Sequence, residues 1–429
     1  MGHLSSKDLY KKLGNKIDGL TIRAPYNDAL YNILKYLYSL EEAELIVKMP
    51  YGLSRLERIA ASTKTNKDKT NRRLNQLCSK GLVIDLVIKG VRYYMPSPFV
   101  IGIFEFSMMR AGADVDMKTL AHLFHEYMSS SDHFFAANLK RGERIGLART
   151  LAHEGLLEEE SFVEVLDYEK ASEIIETSNK FSLGVCSCRH EKMHLGEKKC
   201  DAPLESCTSF GGAADYLIRN NLAKEISKEE MKDLLERSRE KGLVLNADNV
   251  KKNVSFMCHC CGCCCHMLQG ISRFGYANTV VTSTQLPYIN AEKCNKCGKC
   301  ALSCPIKAIA FEKHKTPIID ETYCLGCGVC GLRCSQEAIK LKTRKQKPLY
   351  PETTFERVIL QSLERGTLQN QLFDDVNKIT HKFMRGFLGA FLKLSPVKRA
   401  LLSDMLRSRF LASIKTGARL KGRGESIDL

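Results

Sequence analysis

Cys294, Cys297, Cys300 and Cys304 stand in a C-x2-C-x2-C-x3-C run, and Cys324, Cys327, Cys330 and Cys334 repeat it thirty residues later. No other feature of the chain constrains its fold as far. A tight loop lets three thiolates converge on one metal–sulfur centre while the chain runs on to a neighbouring site with the fourth. Zinc does not explain the pattern, because it closes at four ligands and needs no interlocked second run.

The double run, with Pro305 after the first, resembles the bacterial two-cluster ferredoxins. That resemblance implies two 4Fe-4S clusters with crossed ligation. One would use Cys294, Cys297, Cys300 and Cys334, and the other Cys304, Cys324, Cys327 and Cys330. Gly298, Gly326 and Gly328 suit the turns, and Ile306–Phe311 and Ala338–Leu341 are expected to pack over the clusters. Ser335, where the first run has proline, departs from the family pattern in the local turn but not in the ligands.

Ten more cysteines lie upstream: Cys186, Cys188, Cys200, Cys207, Cys258, Cys260, Cys261, Cys263, Cys264 and Cys265, with His190, His194, His259 and His266 among them. Soft thiolates in this number favour iron–sulfur or copper(I), and the ferredoxin-like module on the same chain favours iron–sulfur. The expected partition puts Cys186, Cys188, Cys200 and Cys207 on one cubane and a further cluster on some of Cys258 to Cys265. A non-cubane cluster, a shared site and free redox thiols remain alternatives, since adjacent cysteines point apart. Arg189 and His190, beside Cys188, suit either donation to cluster sulfur or a solvated, helix-pairing role. Phe210-Gly211-Gly212 leads into an apolar helix rather than a phosphate loop. The blocks V-C-S-C-R-H, C-D-A-P-L-E-S-C and C-H-C-C-G-C-C-C resemble a family of uncharacterised 4Fe-4S-binding proteins of anaerobic bacteria and archaea, which begin with a winged-helix-like region and end in a ferredoxin module.

The formal net charge of +16 treats these cysteines as neutral. Each four-thiolate cubane would remove about two units, leaving a milder basic excess. That excess suits an acidic protein partner, an anionic membrane face or nucleic acid. Dense cysteines without a secretory leader point to metal ligation in a reducing cytoplasm, not to disulfides. The apolar stretch Pro98–Met109 is interrupted by Glu105 and too short to span a bilayer.

Periodicity gives helices at 28–49, 53–61 and 67–80, then a hairpin through Lys89-Gly90. Helix, helix, basic helix and hairpin resemble a winged helix, with Lys67, Lys69, Arg72 and Arg73 on the third helix. Cys78 reads as a small buried hydrophobe, His122 and His125 as structural histidines, and Glu158–Glu160 as a solvated face. Phe383, Phe387, Leu388, Phe391 and Leu392 form an apolar stripe flanked by Lys382, Arg385 and Lys393, continued by Leu401, Leu402, Met405 and Phe410. The stripe suits a helical hairpin over the cluster region or contact with an anionic membrane, and residues 415–429 read as a mobile tail.

The fold class expected is α+β in four domains: winged-helix-like 1–110, a mainly helical cysteine-rich cluster domain 111–285, a two-cluster ferredoxin-like domain 286–345 and a basic amphipathic helical extension 346–429. The function expected is iron–sulfur electron transfer with redox partner proteins, as a carrier or electron-transfer subunit more than a stand-alone enzyme. A reductase with an unusual catalytic cluster at Cys258 to Cys265 and a redox-sensing DNA-binding regulator are the alternatives. No residue qualifies as catalytic.

Overall fold

The computed structural model describes residues 2–110, 115–139, 144–157, 166–345, 348–420 and 424–427. It is mixed helix and sheet, and it groups into two compact units. One holds residues 1–140, 219–222 and 353–429, and the other 141–218 and 223–352. Glu158–Glu160 lies outside the described residues.

In the first unit, helices Gly2–Asp18, Asp28–Leu37 and Leu40–Lys48 bury Leu13, Ile17, Leu30, Ile33, Leu34 and Ile46 at helical spacing. Asn27 caps the second by accepting from the Leu30 amide at 2.8 Å, and Ser39 with Glu42 forms a capping box on the third. Helices Leu56–Thr63 and Lys67–Ser79 follow, then a three-stranded antiparallel sheet of β1 (Ser54–Arg55), β2 (Val83–Ile88) and β3 (Val91–Pro96) in the order β1-β3-β2. The β2–β3 hairpin turns at Lys89 and Gly90, both at positive φ, the geometry of a two-residue turn of the primed type. Cys78, on helix Lys67–Ser79, is fully buried.

The C-terminal helices belong to this unit. The Arg58 guanidinium grips Asp374 with two contacts of 2.9 Å, and the Asn370 amide donates to the Gly19 carbonyl at 2.8 Å. The expected tail also begins too early, since Asp404–Leu420 is one helix.

The second unit is built on a sheet where the sequence suggested mainly helix. Strands β4 (Ala148–Leu151), β5 (Phe181–Val185), β6 (Glu205–Phe210), β7 (Ala223–Ile226), β8 (Val244–Asp248) and β9 (Phe256–Cys260) pair antiparallel in the order β4-β8-β9-β6-β5-β7. Helices Ala171–Thr177 and Lys228–Lys241 contribute Ile174, Ile175, Met231 and Leu234 to a core with Phe181, Phe210, Leu245 and Met257. The same unit continues into β10 (Gln285–Ile289), which pairs antiparallel with β13 (Ile339–Thr343), and into the short pair β11 (Ile309–Ala310) and β12 (Ile318–Ile319).

Candidate iron–sulfur centres

The thirty-residue repeat recurs as backbone geometry. The Asn290 amide donates to the Ala338 carbonyl at 2.8 Å, and thirty residues on the Asp320 amide donates to Ala308 at 2.9 Å. Each run then turns into a short helix, Lys299–Ser303 or Val329–Leu332, behind a glycine at positive φ. The chain thus brings three cysteines of each run round one cavity and leaves the fourth beyond it.

Those cavities show the crossing. One is lined by Cys294, Cys297, Cys300 and Cys334, walled by Ile289, Ala338 and Ile339. The other is lined by Cys304, Cys324, Cys327 and Cys330, walled by Ile306, Ile309 and Leu325. Their empty volumes are nearly equal, about 330 and 320 Å³. Backbone amides point at the fourth sulfur of each run: Ala308 donates to Cys304 Sγ at 3.2 Å and Ala338 to Cys334 Sγ at 3.4 Å. Four soft ligands, an apolar wall and an amide donor are what a 4Fe-4S cluster requires of its site, so the residues fit it.

The two sites differ in exposure. Cys297 is exposed, as are Lys293, Lys296 and Lys299 around it, whereas burial pushes the Cys327 thiol up to about 12. The second site is also tied to the sheet. The His153 amide donates to the Cys327 carbonyl at 3.1 Å, and the Arg344 guanidinium to Cys324 and Gln285 carbonyls.

The ten upstream cysteines come together near one end of the six-stranded sheet, but not in the expected partition. Strand alternation puts Cys258 and Cys260 on one face of β9, and register pairs Cys258 with Cys207 on β6. From there a series of neighbouring thiols runs Cys258, Cys260, Cys265, Cys188 and Cys186. Cys200 is not among them. It meets Cys261, Cys263 and Cys264 instead, all four sulfurs lying within 4.8 Å of one another. The grouping is therefore six and four. Cys260, accepting from Cys258 and Cys265, has its pKa held below the usual thiol range, and so does Cys261, accepting from Cys264. Lowered pKa favours the thiolate, the form that binds metal.

Arg189 stands where the sequence suggested, beside the sulfurs. It is fully buried, touches Cys261, and donates to the Pro203 carbonyl at 3.2 Å, to Ser206 and to the His259 carbonyl. His190 instead faces His194, ring nitrogens 3.0 Å apart. His259 is no ligand: alternation sends it to the opposite face of β9, where its Nδ1 meets Ser238 at 2.6 Å and Nε2 meets Thr208 at 3.3 Å. Burial, then Arg189 and His153, push its pKa down to about 3, so the ring is neutral. Sequence reasoning missed Glu191, buried against His266 next to Cys265, for which the only signal was its three-residue spacing from Cys188. It also missed Gly262, where an added Cβ would lie 2.5 Å from the Pro305 carbonyl oxygen.

Residues 293–338 match the family model of the 4Fe-4S dicluster domain, which takes in all eight cysteines of the double run. No curated protein and no solved structure matches the chain.

Proposed function

We propose that this protein transfers electrons between redox partner proteins through two crossed-ligand 4Fe-4S clusters and a third iron–sulfur cluster held within the six-thiol group Cys186, Cys188, Cys207, Cys258, Cys260 and Cys265. The observation that supports it most is the lining of each ferredoxin cavity by three cysteines of one run and the fourth of the other. When bound, such clusters accept and release single electrons. The chain's own residues hold them, exclude water with Ile289, Ile306, Ile309 and Ile339, and donate from the Ala308 and Ala338 amides. Partner exchange at the first cluster is supported by exposed Cys297 amid Lys293, Lys296 and Lys299, a rim suited to an acidic surface.

The winged-helix resemblance of the N-terminal region draws support from its order of elements, but DNA reading does not gain by it. Lys67 is paired with Glu57 and Arg73 with Glu41, which neutralises half of the basic residues expected to meet phosphate.

The test is anaerobic purification with iron and acid-labile sulfide counts and EPR of the reduced chain. About eight irons assigned to the double run, and about four more to the six-thiol group, are expected. Crossed ligation is tested by Cys304→Ser, which should perturb the same cluster signal as Cys324→Ser. Loss instead of the signal shared by Cys294 and Cys297 variants would overturn the assignment.

A further inference from the structure

Cys200, Cys261, Cys263 and Cys264 differ from every other cysteine group in their spacing. Four of the six sulfur–sulfur distances are 3.5 Å for Cys200 to Cys261, 3.9 Å for Cys200 to Cys264, 3.7 Å for Cys261 to Cys263 and 3.5 Å for Cys263 to Cys264. Among the described residues this is the one set of potential ligands with all its ligand atoms within 4.8 Å of one another. A disulfide is excluded at these lengths, since the bond is about 2.0 Å.

Tetrahedral thiolate coordination of one ion at about 2.3 Å puts neighbouring sulfurs about 3.8 Å apart, the edge of the tetrahedron. The observed distances scatter about that edge. A 4Fe-4S cubane does not produce such spacing, because each thiolate sits on its own iron and points outward from its own corner. The molecule contains its own comparison: the eight cysteines of the dicluster domain have cavities between them and no group with this spacing. We propose that Cys200, Cys261, Cys263 and Cys264 hold a single divalent ion, zinc or iron, in a closed tetrathiolate site separate from the iron–sulfur clusters.

The surroundings fit that charge. Four thiolates on a divalent ion leave −2, and the buried Arg189 guanidinium reaches Cys261 to offset part of it. Gln269 donates to the Cys263 carbonyl at 2.7 Å, and the Cys265 amide closes the turn on the Cys261 carbonyl at 3.2 Å. The site has no open position, which makes its role structural. It fixes the loop whose Gly262 lies against Pro305, the residue after the crossed ligand Cys304. The inference goes beyond the electron-transfer reading and does not depend on it.

The experiment compares metal and sulfide content of the anaerobically purified full chain with that of Cys200→Ser and Cys263→Ser. The expected result is loss of one zinc per chain, or of one iron with no sulfide, from either variant. Loss of about four irons with about four sulfides would overturn the single-ion site, and so would no change in metal. If the variants do not fold, X-ray absorption at the zinc edge of the wild-type chain answers the same question: four sulfur neighbours at about 2.3 Å are expected. Wild-type protein that has no zinc and, after oxidation, no high-spin ferric EPR signal of a lone tetrathiolate iron would also overturn it. A normal sulfide count from the double run alongside such a failure would leave the electron-transfer reading standing.

Discussion

Gly262 and Glu105 show how much can rest on one side chain. At Gly262 the missing Cβ admits the Pro305 carbonyl, so Gly262→Ala must displace either the thiolate loop or the turn after Cys304. Overpacking of this kind costs about 1–3 kcal/mol. A lower melting temperature under anaerobic conditions, with iron content retained, is the expected outcome. Glu105 is half-buried next to the Gly102 amide, which donates to it at 2.9 Å, and desolvation pushes its carboxyl pKa up to about 7. A raised acid favours the folded state in its protonated form, so this stability is full below the unfolded value of about 4.5 and falls away as pH rises toward 7. Glu105→Gln should flatten the change in unfolding midpoint between pH 5 and pH 8; an unaltered slope would refute the assignment. The sequence showed Glu105 only as an interruption in an apolar stretch, because burial is a property of the neighbours it acquires.

At the level of elements, legibility followed periodicity. The helical stretch at 28–48, the helix at 67–79 and the hairpin at Lys89-Gly90 were readable because apolar spacing and turn chemistry agree there, but the break of the first stretch into two helices at Tyr38 and Ser39 was not. The six-stranded sheet was not, because its strands run four to six residues and cysteine, serine and histidine occupy the alternating positions that apolar residues usually mark. The cysteines lining the two ferredoxin cavities are those that the resemblance to two-cluster ferredoxins implied. The upstream partition was not readable, since register between β6 and β9 decides which thiols meet, and a strand's partner is not written in its own residues. The exposed lysines around Cys297 carry a further test. Replacing Lys296 and Lys299 with Glu should slow electron exchange with an acidic ferredoxin-type partner about tenfold or more at low salt, and the difference should shrink as salt rises. An undiminished rate would place partner contact elsewhere.

Considered as a whole molecule, the chain keeps the cysteines from Cys186 to Cys334 in one unit, while the other has an exposed apolar stripe on its C-terminal helices. No helix among the described residues is long and apolar enough to cross a membrane. Helix Ile379–Leu392 nevertheless turns Phe383, Phe387 and Phe391 outward, 71, 66 and 50 % exposed, while Gly389 and Leu392 face inward. Lys378, Lys382 and Lys393 are exposed beside them. The pattern suits the interface of an anionic bilayer. Vesicles rich in anionic lipid should sediment the wild-type chain and release it when Phe383 and Phe387 are changed to Ser; equal sedimentation of both would exclude this face. The crossed ligation proposed above would also order events during synthesis. Neither ferredoxin site has its full ligand set until Cys330 or Cys334 has left the ribosome, although most of the first run emerges earlier. The upstream thiols are all present once Cys265 is made. With that ligation the nascent chain would expose three thiols of an unfinished site throughout the interval, so iron delivery would have to wait, or the thiols be shielded, until the last cysteine arrives.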